Sequence, residues 1–134
     1  MNDLSAITAV VQQYWDALYD GDVHAFQQIM HPTCRLYCGT SGELLHMDLP
    51  SYLDLVQGRP SPASRKDARH DRLLSIDLAS PTTAHVRVMD AYLPRQFIDD
   101  LTLVKVGDRW WIVSKVWHYV VEETREGWHS GTQQ

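Results

Sequence analysis

The residues of this chain best suited to acid–base chemistry are two aspartates, Asp90 and Asp100, in neighbouring predicted strands. A turn at residues 94–96 would place the two carboxylates opposite each other, and the preceding turn would add Arg72 beside Asp90. Two adjacent carboxylates repel, so one should hold its proton more tightly than usual, whereas Arg72 would weaken proton binding by both. Such a pair could serve as catalytic general acid and general base on a bound ligand. The alternative is a solvated charge network across the strands at the mouth of a pocket.

Further polar side chains are expected to line the same pocket. Side chains alternate between the two faces of a strand, and strict alternation brings several hydroxyl, imidazole and guanidinium groups to the face that also carries Asp90. The resulting ligand-binding candidates are Tyr14, on the first helix, and Arg72, Tyr92, Thr102, Ser114 and His118. A structural interpretation stays open for these residues, because a helix tyrosine or a strand histidine with apolar neighbours commonly belongs to the core.

The sequence favours chemistry without a metal or cofactor. His31, Cys34, Cys38 and His46 do not form the closely spaced Cys/His pairs of a zinc site. The sequence has no Gly-rich phosphate loop and no Gly-x-Ser-x-Gly motif. Cys38 has no partner assured by the sequence that would activate its thiol, so a buried thiol is expected. A disulfide between Cys34 and Cys38 is not expected from their spacing in a strand, and we expect a cytoplasmic chain.

Composition limits the classes of partner. The 134 residues carry a formal net charge of −5 with 44% hydrophobic residues, which is typical of one globular domain. The basic residues between 65 and 72 are interrupted by Asp67 and Asp71, which argues against a nucleic-acid-binding face. No apolar run reaches the roughly 20 residues that span a membrane, and no signal peptide is recognised.

The pattern of apolar residues predicts helices first and strands afterwards. A stripe from Leu4 to Leu18 indicates a first helix with Asp3 as N-cap, and Gly21 ends it. Asp22 would start a second helix and Asp48 a third, and four long strands follow between residues 70 and 121. We expect an α+β domain at residues 1–121 with a polar tail at residues 122–134. Three N-terminal helices would pack on a curved antiparallel or mixed sheet and form a conical pocket.

The last strands also predict a partner for the outer face of the sheet. They carry apolar residues on both faces, whereas three helices can cover only one. A second copy of the chain would cover the other face. The predicted homodimer interface consists of Leu101, Leu103, Trp111, Val113 and Trp117.

The order of elements, with Asp20-Gly21-Asp22 between the first two helices, resembles the nuclear transport factor 2-like superfamily, a cystatin-like α+β fold. The closing segment from Leu103 to His118, Leu-Val-Lys-Val-Gly-Asp-Arg-Trp-Trp-Ile-Val-Ser-Lys-Val-Trp-His, is most similar to the family labelled putative lumazine-binding. The resemblance covers residues 3 to about 121. It implies the fold but no single activity, because similar proteins include isomerases, dehydratases, cyclases and transport factors.

The resemblance permits one activity to be tested by residue. In the similar steroid isomerases, a helix tyrosine and a protonated carboxyl group bind the developing oxyanion, and a carboxylate on the first strand moves the proton. Tyr14 matches the helix tyrosine, whereas Cys38 and Thr102 stand where the resemblance places the two carboxyl groups. We therefore do not expect steroid-isomerase chemistry at this site.

Three functions remain open on the sequence alone. The first is a binding module for a small, partly apolar molecule of unknown identity. The second is a cofactor-free isomerase, dehydratase or cyclase that uses Asp90 and Asp100. The third is an accessory interaction subunit without a ligand.

Overall fold

Three helices pack on one face of a six-stranded sheet in the computed structural model, which describes residues 2–121. The helices are α1 (Asp3–Asp20), α2 (Val23–Gln27) and α3 (Leu49–Gln57). The strands are β1 (Met30–Cys38), β2 (Leu45–Asp48), β3 (Arg72–Ser80), β4 (Thr83–Tyr92), β5 (Arg95–Val106) and β6 (Arg109–Val121). The strand order is β2-β1-β6-β5-β4-β3, with β1 parallel to β6 and the other neighbours antiparallel. The predicted α+β class with a curved sheet is confirmed, and the sheet is mixed.

Local capping explains where the helices begin. Asp22 and Asp48 cap α2 and α3 as predicted. The predicted cap of α1 is wrong by one residue, because the side chain of Asn2 accepts the hydrogen bond from the backbone N–H of Ser5 at 2.8 Å. Asp3 contacts β5 instead, where its carboxylate lies 3.0 Å from the Lys105 ammonium. The first helix is thus tied to the sheet at its N-terminal end.

The core lies between the helices and the inner face of the sheet. The α1 stripe of Ile7, Val11, Tyr14 and Leu18 is buried, as are the facing residues Val86, Val88, Leu101, Leu103 and Ile112. Full burial of each aliphatic side chain stabilises the fold by about 1.5–3 kcal/mol. Phe26 joins the layers, because its ring contacts Tyr14 and Tyr52 edge-on at centroid distances of 6.0 and 5.4 Å.

The hairpin between β4 and β5 differs from the prediction and changes which carboxylates meet. Its connection is the two residues Leu93 and Pro94, with Tyr92 opposite Arg95. Asp90 therefore lies opposite Phe97 rather than Asp100. This three-residue difference in register is odd, so it reverses the face on which each β5 side chain lies.

A β-bulge in β6 causes the second difference. Thr102 pairs with Ser114, as predicted, but the next residue, Leu103, pairs with Ile112 and leaves Val113 as the extra residue. In β6, the inner side chains therefore stand at even residue numbers before the bulge and at odd residue numbers after it. Lys115, which strict alternation from Ile112 would put outside, is buried at 5% exposure.

The predicted dimer interface must be corrected in the same way. Leu101 and Leu103 are fully buried in the core of the chain, and Trp117 packs against that core. Their inner position follows from the register of β5 and the bulge of β6. Trp111 pairs with Val104 on the outer face and is half-buried. Whether a second copy covers this face stays a prediction.

The longest helix, α1, does not have the sustained apolar character of a membrane span, and no other helix among residues 2–121 does either.

Candidate functional site

The inner face of the sheet holds two buried carboxyl groups. Asp90 near the end of β4 is 1% exposed and Asp99 on β5 is 0% exposed. Because Asp90 is paired with Phe97 and Asp99 with Val88, the two aspartates are diagonal neighbours on one face. The predicted pair of Asp90 and Asp100 is therefore not formed, and Asp90 neighbours Asp99 instead.

Tyr14 connects the pair to the first helix. Its hydroxyl donates a hydrogen bond to Oδ2 of Asp99 at 2.6 Å, and the tyrosine is fully buried. The position follows from the amphipathic stripe of α1, which points Tyr14 into the centre of the sheet. Burial raises the pKa of Tyr14, and the nearby charges of Asp99 and Asp90 raise it further. Tyr14 is accordingly a neutral donor over the whole physiological range.

Asp90, Asp99 and Tyr14 form a buried cluster with Lys115 on β6, which supplies its cation. Its ammonium lies 3.4 Å from the hydroxyl of Tyr52 on α3. It also lies 5.3 Å from the ring centroids of Tyr14 and Trp117 and 4.8 Å from that of Tyr52. Burial acts to lower the pKa of Lys115, but interaction with Tyr52 and the charges of Asp99 and Asp90 outweigh it, so the pKa is raised. Lys115 is therefore a charged donor and not a free amine nucleophile.

Asp90 holds a proton more tightly than an ordinary aspartate. Burial raises its pKa well above 3.8, and the charge of Asp99 and a hydrogen bond to Asp99 raise it further. Within residues 2–121, Oδ1 of Asp99 and both oxygens of Asp90 have no donor partner. A proton on Asp90 would supply that donor and leave one carboxylate, Asp99, against one ammonium, Lys115. The cluster is then neutral overall, which is the least costly state for buried charges.

A small cleft, called the mouth cleft below, lies between α3 and strands β5 and β6 and reaches Lys115. Its volume is about 60 Å³, and it is lined by Leu18, Met47, Tyr52, Leu55, Arg59, Arg95, Phe97, Lys115 and Trp117. The lining includes Lys115 but none of the groups behind it, so Asp90, Asp99 and Tyr14 form a closed second layer.

Two arginines that line the cleft, Arg59 and Arg95, form its cationic rim, and each lies over an aromatic ring. The guanidinium of Arg59 lies 4.0 Å from the ring centroid of Tyr92, and that of Arg95 lies 4.3 Å from the ring of Tyr119. The hydroxyl of Tyr92 donates to the carbonyl oxygen of Pro60 at 2.7 Å, which fixes the loop after α3 over this side of the cone. Tyr92, predicted as a ligand contact, therefore positions the rim.

Larger cavities lie elsewhere on the molecule. A groove of about 420 Å³ runs between α2, β1 and α3 and contains Val23, Met30, Leu53 and Asp54. A depression of about 330 Å³ on the outer sheet face contains Asp100 and His118. Neither is lined by Lys115, the charged group that interacts with the buried carboxyl pair, so the mouth cleft is the candidate functional site.

The structure separates the remaining predicted site residues from the cone. Asp100 lies on the outer face, where the Arg87 guanidinium donates to its Oδ1 at 2.7 Å. Thr102 and Ser114 pair with each other on that face. His118 shares it, with Nδ1 3.1 Å from Oγ1 of Thr40. Arg72 is exposed on the edge strand and pairs with Met89 instead of Asp90.

Sequence reasoning missed Asp99, Lys115 and Tyr52. Asp99 and Asp100 are consecutive, so one must face inward, but only the register of the hairpin shows which. Lys115 carried a signal, since it is a single cation within an apolar segment of a long strand. Tyr52 belongs to the apolar pattern of α3, and such a pattern by itself indicates only burial.

No group of three or more metal-binding side chains comes together in residues 2–121. Burial raises the pKa of the Cys34 thiol to about 12, with Lys115 acting weakly against this. The Cys38 thiol donates to Oγ1 of Thr40 at 3.4 Å. Both thiols are buried.

Comparison with known proteins establishes the family. The family described as "Putative lumazine-binding" matches residues 2–118. The chain belongs to this family. A curated relative, "Aldolase FrzH" from Cladobotryum sp, is 27% identical over 119 residues, which are 87% of this chain and 91% of that protein.

Solved structures share the fold. A nuclear transport factor 2-like protein of unknown function from Silicibacter pomeroyi DSS-3 is similar with a TM-score of 0.78 at 23% identity, over 87% of this chain and 95% of that one. A ketosteroid isomerase-like protein from Erwinia carotovora atroseptica SCRI1043 has a TM-score of 0.68 at 12% identity, over 90% and 98% of the two chains. The predicted nuclear transport factor 2-like fold is thus confirmed.

Proposed function

We propose that this chain binds a small, partly apolar molecule in the mouth cleft and holds an oxygen atom of that molecule on the Lys115 ammonium. The supporting observation is the state of Lys115. An ammonium has three N–H donors, yet this one has a single hydrogen bond within residues 2–121, the 3.4 Å contact to Tyr52. A cation that is 5% exposed with unused donors favours an oxygen acceptor in the cleft beside it.

The walls fit an apolar body next to that acceptor. Tyr52, Phe97 and Trp117 contribute aromatic side chains to the lining, and Leu18 contributes an aliphatic one. The volume of about 60 Å³ equals the share of about two water molecules. Only the polar end of a ligand therefore fits in the cleft, and its remaining atoms would lie at the opening, where Leu55 is 46% exposed.

Amide chemical shifts in a titration with acetophenone, benzamide and benzoate test this proposal. We expect the largest changes at the Trp117 indole and at the amides around Phe97 and Lys115. Lys115→Met should reduce the changes severalfold, whereas Lys105→Met, which removes a lysine paired with Asp3 at the other end of the domain, should leave them unchanged. Changes confined to the groove between α2 and α3, or equal binding by Lys115→Met in a spectrum that shows it folded, would refute the proposal.

The buried carboxyl pair favours a second candidate, a cofactor-free enzyme that moves a proton next to a carbonyl group. Tyr14 and Asp99 supply a donor and a carboxyl group that meet at 2.6 Å, and the proton-holding Asp90 lies beside them. Tyr14 matches the helix tyrosine implied by the steroid isomerases. The first-strand carboxylate is still replaced by Cys38, so the ionised Asp99 would have to accept the proton, while the protonated Asp90 would donate to the carbonyl oxygen.

The curated relative with an aldolase name agrees with carbonyl chemistry. A Schiff base on Lys115 is not part of this candidate, because the raised pKa keeps the amine protonated. The substrate would have to pass Lys115 and Tyr52 to reach the closed layer behind them. Binding in the mouth cleft is therefore the first step of either function.

Hydrogen–deuterium exchange next to the carbonyl of acetophenone or hydroxyacetone, followed by proton NMR in D₂O, tests the enzyme candidate. Exchange catalysed by the protein should fall by about 10²-fold or more in Asp90→Asn and in Asp99→Asn. Asp100→Asn is the matched control, since this neighbouring carboxylate lies outside the cone. Equal rates in all variants, or no exchange above buffer, would reject this candidate and leave the binding function in place.

A further inference from the structure

The mouth cleft is cationic in a chain that is acidic overall. The formal net charge is −5, yet the nine residues among 2–121 that line the cleft include Arg59, Arg95 and Lys115 and no carboxylate. The carboxylates nearest to Lys115 lie behind it, in the closed layer. A molecule at the mouth therefore meets positive charge first.

The two rim arginines are not neutralised by the described part of the chain. Within residues 2–121, Arg59 and Arg95 contact aromatic rings and have no carboxylate within ion-pair distance. By contrast, Arg65 and Arg69 in the loop beside them are each paired with an aspartate at 2.8 Å. Rings hold the guanidinium groups in place but leave their charge available to a ligand.

Resting on the proposed function, we infer that the ligand is a small aromatic carboxylate whose carboxylate group binds Lys115 and whose ring lies between Tyr52, Phe97 and Trp117 at the mouth. A carboxylate has two acceptor oxygens for the unused donors of Lys115. Moving an anion into a nearly buried site is costly unless cations receive it, and three are in place here. A neutral molecule of the same shape would contact the apolar side chains of the cleft but would gain nothing from these charges.

The shape of the cleft fits this chemical class. A carboxylate group is small enough for the cleft of about 60 Å³ beside Lys115, whereas an aromatic ring would have to lie at its opening. Trp117 and Phe97 belong to adjacent strands, β6 and β5, and Tyr52 faces them from α3. Stacking on aromatic rings would orient a flat body with its anionic end towards the floor.

Benzoate and benzamide form the decisive pair, because they have nearly the same shape and differ in charge. Isothermal titration at pH 7 should give benzoate an affinity about tenfold higher than that of benzamide. Arg59→Gln and Arg95→Gln should each lower the affinity for benzoate by about twofold to fivefold and leave the affinity for benzamide unchanged. Arg72→Gln, an exposed arginine outside the cleft, is the matched control. Added salt should weaken benzoate alone.

The outcomes distinguish the inference of an anionic ligand from the proposal of a binding site in the mouth cleft. Equal binding of both compounds, with no effect of the rim substitutions, overturns the inference of an anionic ligand and leaves the proposed binding site standing. Preferential binding of benzoate that survives Lys115→Met and both rim substitutions also overturns it, because the charge would then be recognised elsewhere. Failure of both compounds to bind overturns the proposed function together with the inference.

Discussion

At the scale of single residues, the buried cluster is a source of instability that the rest of the core offsets. A carboxyl group that is 1% exposed loses the hydration it would have in the unfolded chain. Asp90 responds by holding its proton, and Asp99 by accepting a hydrogen bond from Tyr14. Groups that lower the stability of the folded protein are common at functional sites. Substituting them should change the free energy of unfolding of this protein measurably.

Asp90→Asn should flatten the pH dependence of stability. The folded protein binds the Asp90 proton more tightly than the unfolded chain does, so the free energy of unfolding falls as pH rises above about 4 and stops falling above the raised pKa. The slope from this group is at most about 1.4 kcal/mol per pH unit. Urea unfolding between pH 4 and 9 should show a weaker decline in Asp90→Asn and higher stability at the alkaline end.

Asp100→Asn is the control for that experiment, because Asp100 is half-exposed and ion-paired with Arg87. It should retain the decline. An undiminished decline in Asp90→Asn would show that the titrating group lies elsewhere.

Tyr14→Phe should destabilise the protein by about 1–3 kcal/mol. The substitution keeps the packing of the ring but leaves Oδ2 of the buried Asp99 without its donor. Tyr37→Phe on β1 is the control, since that half-buried tyrosine makes no hydrogen bond through its hydroxyl within residues 2–121. A chemical-denaturation midpoint for Tyr14→Phe equal to that of Tyr37→Phe would argue against a hydrogen bond that stabilises Asp99.

At the scale of elements, tight connections decide which residues meet. The corner between α1 and α2 needs Gly21, which has a φ of 64° and whose added Cβ would lie 3.1 Å from Cβ of Ser61. This corner sets the orientation of α1, and that orientation places Tyr14 against the sheet. The hairpin at Leu93–Pro94 and the bulge at Val113 then set which side chains of β5 and β6 face it.

Gly21→Ala should lower the free energy of unfolding by about 1–2 kcal/mol, because a left-handed conformation and a close contact both disfavour a Cβ. Gly39→Ala is the control, since Gly39 has no left-handed φ and no atom within 4 Å of an added Cβ. Thermal unfolding of both variants measures the difference. Equal midpoints would mean that the corner adapts without strain.

At the scale of the whole molecule, the outer face of the sheet stays the surface best suited to a second copy. Ile98 and Val116 are 38% and 46% exposed on this face, and the half-buried Trp111 lies on the same face further along β6. Arg87 and Asp100 give the same face both charge signs, which allows two copies to pair across a twofold axis. We therefore keep the homodimer as a prediction, with corrected residues.

Light scattering after size exclusion should give the mass of a dimer for the natural protein. Val116→Asp and Ile98→Asp should shift it towards 15.4 kDa, the mass of one chain, because each places a carboxylate in an apolar contact. Leu44→Asp, at a leucine that is 67% exposed and lies outside the strands, should leave the mass unchanged. A single-chain mass for the natural protein at every concentration would refute the dimer, and circular dichroism confirms that each variant is folded.

The sequence by itself determined the class of fold, the helix α1 and its Tyr14, the caps at Asp22 and Asp48, and Asp90 as a member of a carboxyl pair. These features depend on short-range patterns, such as the spacing of apolar residues and the chemistry of caps. The tertiary structure alone decided that Asp99, and not Asp100, completes the pair and that Lys115 faces inward. The physical reason is that side-chain direction in a sheet has a period of two, so one hairpin residue or one bulge reverses every position beyond it. The site is therefore a closed cluster of Tyr14, Asp90, Asp99 and Lys115 instead of the predicted grouping of Arg72, Asp90 and Asp100.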